Sequence, residues 1–139
     1  MSSSISSSSP LLRRALLVDA TASGTMGLAF ASASRSLAGL LGFPAAALFW
    51  VGFFLVAFAG FLIWLARRPR MPRLLVVAVV VGNVLWVAGS LALLPAGLVD
   101  LTGLGVAVVL GQAAAVAVFA AVEYGGLRQL QPAQFKGQA

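Results

Sequence analysis

"AAALFWVGFFLVAFAGFLIWLARRPRMPR", residues 45–73, decides the fold. Its first 22 residues hold no charge, and its last seven hold four arginines. A helix of that apolar length is about 33 Å long, enough to cross a hydrocarbon core of about 30 Å. Lipid offers backbone N–H and C=O groups no water, so such a run spans as a helix and not as a lone strand. The arginines then mark where the chain leaves the bilayer.

Working outward, three more apolar segments of similar length appear, at residues 12–34, 74–94 and 103–124. The segment "LLVVAVVVGNVLWVAGSLALL" is β-branched enough to suit a strand, but its length and lack of period-two alternation favour a helix. The whole chain has the same character, 61% hydrophobic and 9% charged. Soluble domains average about 45–50% and about 25%, and a chain of this size cannot hide such an excess. The expected fold is an all-α membrane protein, a four-transmembrane-helix bundle of antiparallel up-down topology. Residues 1–10, "MSSSISSSSP", read as a disordered serine-rich tail, residues 11–128 as the transmembrane domain, and residues 129–139 as a flexible cytoplasmic tail. Between the first two spans, "RSLAGLLGFP" (35–44) is short and amphipathic, suited to lie along the interface before Pro44 opens the second span.

Charge sets the orientation. Arg13, Arg14, Arg67, Arg68, Arg70, Arg73, Arg128 and Lys136 fall on one side of the four spans, and only Arg35 falls on the other, with Asp100. Eight against one places both termini in the cytoplasm of a bacterial inner membrane. The net charge of +6 therefore belongs to membrane topology and not to nucleic-acid binding, because the basic residues flank apolar runs. A competing reading takes residues 1–33 as a cleaved leader ending at "ASA" (31–33). That stretch is long for a leader core and is interrupted by Asp19, Thr21, Ser23 and Gly24, which favours a retained span.

The composition also excludes chemistry. With no cysteine and no histidine, disulfides, thiol catalysis and the commonest zinc and haem ligands are absent. No nucleophile–base spacing or phosphate loop is visible, so no enzyme, no metal site and no cofactor is expected. What remains is a set of polar residues inside apolar runs. Asp19 stands about 6 Å from the middle of the first span, with Ser23, Gly27 and Ala31 following at four-residue intervals. Such a small-residue ridge admits a neighbouring helix, so Asp19 is expected to face protein. A charge at that depth costs at least about 2.5 kcal/mol on insertion scales, so a proton on Asp19 is expected. Asn83 and Gln112 lie near the centres of consecutive spans and are expected to meet, forming with Asp19 an intramembrane polar cluster that could bind a ligand. Glu123, at the expected cytoplasmic end of the last span, is a candidate for an interfacial ion pair with Arg67 or Arg68.

The series "LLRRALLVDATASGTMGL", "GLLGFP", "WLARRPRMPR", "GNVLWVAGSLALL" and "GQAAAVAVFAAVEYGGLR" resembles a group of small four-helix bacterial inner-membrane proteins over residues 11–128. That resemblance implies topology and no activity. A second resemblance is to the small multidrug-resistance exporters, four short helices with an acid in the first, whose place Asp19 would take. Their acid is a glutamate, and their antiparallel dimer needs subunits inserted both ways, whereas this charge bias inserts one way. The leading expectation is a non-enzymatic accessory or scaffold subunit whose partners are the bilayer and a further copy or larger membrane complex. The alternative is a small oligomeric proton- or cation-coupled transporter or channel using Asp19. Reporter fusions at residues 70 and 98 should read cytoplasm and exterior respectively, and the reverse assignment refutes the charge argument.

Overall fold

The computed structural model describes residues 9–136, with side chains as far as Leu130. Five helices follow one another: α1 Pro10–Ser32, α2 Ser34–Leu41, α3 Ala45–Ala66, α4 Arg73–Ala96 and α5 Gly103–Lys136. Four are long and apolar enough to cross a membrane: α1, α3, α4 and the Gly103–Leu130 part of α5. The amphipathic stretch before Pro44 forms the short α2. Residues 1–8 and 137–139 of the two expected tails lie outside the described residues. Of the rest, Pro10 belongs to α1 and residues 129–136 to α5. Ser9 caps α1, its Oγ accepting from the Leu12 N–H, and Pro10 supplies the preset φ of the first turn. At the other end, α5 runs to Lys136, twelve residues past the expected end of the last apolar run.

Each helix end has its own solution for the carbonyls or N–H groups that a helix leaves unpaired. Gly42 (φ 85) and Gly97 (φ 65) close α2 and α4 in the left-handed region. Thr102 does two jobs: its Oγ1 accepts from Gly105 N at the start of α5 and donates to Leu40 O at the end of α2. Its N–H donates to Leu41 O at 3.1 Å, so α2 is held against the first turn of α5. Arg13 of α1 donates to Ala66 O and Arg68 O, bringing a cation to the C-terminal end of α3, where the helix dipole favours one.

α1 lies along α3 and α5, and α4 packs on α5. The α1–α3 contact is the most extensive. A Cβ built on Gly27 would stand 2.7 Å from Gly52 O, and one on Gly52 would stand 2.6 Å from Gly27 O, so two backbones meet where side chains would otherwise separate them. The expected ridge is the reason: Gly27 and Ala31 both reach Gly52. A second approach lies where α1 crosses α5. A Cβ on Gly126 would come within 2.7 Å of Leu12 Cβ, so Gly126 serves packing, Gly125 faces open space, and the helix runs through both. α3 and α4, consecutive in the chain, share far less, and the ring of Phe54 bridges them by stacking on Trp86 at 6.3 Å.

The buried apolar core gathers Leu12, Leu16, Leu62, Leu65, Val76 and Leu127, from the start of α1, the end of α3, the start of α4 and the later part of α5. The bundle is therefore tightest at its arginine-bearing end. Outward, large apolar side chains are left bare, with Trp50 64% and Leu74 77% exposed. Bare apolar surface on all the long helices suits lipid and not water.

Replacing Gly52 with leucine should lower the thermal midpoint in detergent sharply, since overpacking typically costs about 1–3 kcal/mol and here the obstacle is backbone. Gly82→Ala, in open space within α4, should leave the midpoint unchanged or slightly higher. Equal effects at the two sites would refute the close α1–α3 approach.

Candidate functional site

Helical spacing puts three polar residues of α4 on one face: Asn83, Trp86 and Ser90, at intervals of three and four. Asp19 and Ser23 of α1 are four apart, and Gln112 and Glu123 of α5 are eleven apart, about three turns. These faces converge in the bundle as two separate layers.

The first layer joins three helices through one amide. Asn83 Nδ2 donates to Asp19 Oδ2 at 3.0 Å and to Glu123 Oε2 at 2.9 Å. The Ser23 hydroxyl donates to the other Asp19 oxygen, Oδ1, at 2.9 Å. All three central side chains are withdrawn from the surface: Asp19 is 1% exposed, Asn83 4% and Glu123 0%. The two carboxyls are neighbours, since both accept from the same amide nitrogen. One atom is left over, since Glu123 Oε1 is the buried side-chain oxygen or nitrogen without a partner among the described residues.

The second layer lies toward α2. Trp86 Nε1 donates to Gln112 Oε1 at 2.7 Å, and Gln112 Nε2 donates to Ser90 Oγ and to Val109 O, each at 3.0 Å. These three side chains border a half-open cavity of 360 Å³, walled otherwise by apolar residues such as Phe30, Leu48 and Val51. Two smaller cavities of 80 Å³ each touch Ser23, and one of them also touches Asn83. None of the three is lined by Asp19 or Glu123.

The expected cluster of Asp19, Asn83 and Gln112 is thus divided. Asp19 and Asn83 meet, while Gln112 bonds Trp86 and Ser90 and does not face Asn83. Glu123 takes the place expected for Gln112. Its partners are Asn83 and Asp19, not Arg67 or Arg68; Arg67 is exposed at the end of α3, and Arg68 lies over the Trp64 ring at 4.3 Å. Both differences have one cause. With the last apolar run ending at 124, Glu123 falls at the interface and Gln112 near mid-span. The helix continues, so Glu123 lies seven residues inside Leu130 and drops to the level of Asn83, ten residues inside Arg73. The signal for this was the apolar pair Leu127 and Leu130, which continues the helical spacing beyond the glycines.

Chemically, the first layer offers four carboxyl oxygens that line none of these three cavities, with one amide and one hydroxyl that border the smaller ones. It has no positioned nucleophile with a base. Among the described residues no group of three acidic, histidine or cysteine side chains could hold a metal ion.

Asn83→Leu removes the donor shared by both carboxyls and leaves two buried acceptors bare. Such an orphaned buried group typically costs about 1–3 kcal/mol. The variant should lose more stability, read by denaturant or thermal unfolding in detergent, than Gln112→Leu, whose layer is half open. The opposite ranking would refute the bridging role of Asn83. No family model matches this chain, and no curated protein or solved structure matches it either.

Proposed function

We propose that this chain is a multi-pass, non-enzymatic protein of the bacterial inner membrane, inserted with both termini in the cytoplasm. It acts as a small accessory or scaffold subunit that associates with further copies of itself or with a larger membrane complex. The topology rests on the eight-to-one charge distribution together with four long apolar helices. The scaffold reading is carried by one observation: both intramembrane carboxyls are turned to Asn83, and neither lines the cavities described above. A carrier needs its coupling group to meet its substrate or water in at least one state, whereas a scaffold needs its polar groups to hold helices in register.

A second reading, a small oligomeric proton- or cation-coupled transporter, draws on the partnerless Glu123 Oε1 beside Asp19. The two readings separate in proteoliposomes. As a scaffold, the reconstituted chain should pass protons, sodium and cationic dyes no faster than empty vesicles. Flux above that background, abolished by Asp19→Asn while assembly is kept, would replace the scaffold with the transporter.

A further inference from the structure

We propose that Glu123 and Asp19 form a binding site for a single proton, carried on Glu123 Oε1. The site stands independently of the scaffold reading, because either a scaffold or a carrier can contain it.

Hydrogen-bond inventory makes the assignment. An ionised carboxyl is acceptor only, and a protonated one gains a single donor. Both Asp19 oxygens receive hydrogen bonds, Oδ1 from Ser23 and Oδ2 from Asn83, which is the pattern of a carboxylate. On Glu123 only Oε2 receives one, and Oε1 is buried and bare. A proton on Oε1 removes that bare acceptor and gives Glu123 a donor on the side chain that shares the Asn83 amide with Asp19. Without the proton, two buried negative charges would share one amide, and carboxylates that close resist ionising together. The amide cannot relieve this alone, since both of its hydrogens are already engaged.

No cation among the hydrogen-bond partners of the pair offers another solution. On α1, Arg13 donates to Ala66 O and Arg68 O, and Arg14 is exposed. α3 has no titratable side chain within Ala45–Ala66, and α4 has only Arg73, ten residues before Asn83. On α5, Tyr124 and Arg128 are exposed and lie against each other, the guanidinium 5.9 Å from the ring centre.

The sequence makes a clean test possible. Its three acidic side chains are Asp19, Asp100 and Glu123, so Glu123 is the sole glutamate. The experiment is infrared spectroscopy of the full chain in lipid vesicles at pH 7, unlabelled and with carbon-13 in the glutamate side-chain carboxyl. The expected result is a protonated-carboxyl carbonyl band of one group per chain that shifts on glutamate labelling. It should persist in Asp100→Asn and disappear in Glu123→Gln. Absence of an acid band, a band worth two groups, or a band unmoved by the glutamate label would each overturn the proposal, the last by placing the proton on Asp19. Loss of the band when sodium is raised at fixed pH would overturn it as well, by showing a site for a metal cation. The labelled wild-type chain decides the question even where Glu123→Gln fails to fold.

Discussion

The Nδ2 atom of Asn83 has two hydrogens, and one reaches α1 while the other reaches α5. In a medium without water that arrangement constrains everything near it. The carboxyls must stay at one depth, so α1, α4 and α5 cannot slide past one another by a turn without baring an acceptor. Apolar packing alone fixes register weakly between helices whose outer faces are rich in leucine, valine and aromatic side chains. A polar group that has only one place to bond fixes it strongly. The buried apolar core beneath this layer and the Gly27–Gly52 contact are consistent with the same register.

The two halves of the bundle differ accordingly. Toward the arginine-bearing ends, Leu12, Leu16, Leu62 and Leu65 close the interior completely. Toward α2, the helices enclose the 360 Å³ cavity, with Gln112, Trp86 and Ser90 bonded to one another at its wall. α3 and α4 lie apart along this side, and flat rings, Phe54 on Trp86, fill the gap where backbones do not meet. Small residues bring α1 and α3 together even in this half, at Gly27 and Gly52, while aromatic rings stand in for contact between α3 and α4.

Much of this was legible in the sequence, for reasons that can be named. Four runs of 21 to 23 apolar residues, set off by arginines and prolines, announce four long helices, because length and composition are properties a single segment carries by itself. The ridge of Asp19, Ser23, Gly27 and Ala31 was equally local, and α1 uses it for protein contact. The partners were not local. Which residue meets Asn83 depends on where α5 ends, and the glycines at 125 and 126 look like an ending when the packing of Gly126 against Leu12 is unseen. An error of about a turn and a half at that end moved Glu123 from the interior to the surface on paper and put Gln112 in its place. Depth in a bundle is set by both ends of a helix, and sequence fixes the charged end better than the glycine-rich one.

The contacts of α1 also impose an order on how the chain can be made. In the proposed topology α1 enters the bilayer first, and its glycine face finds α3 as soon as the next long helix arrives. Asp19 has a longer wait: 64 residues separate it from Asn83, and another 40 separate Asn83 from Glu123. Until α4 is inserted, the only described donor beside that carboxyl is Ser23, one turn away on its own helix. The earliest hairpin thus goes into lipid with its least lipid-soluble group unfinished, and the last helix to be synthesised completes the first.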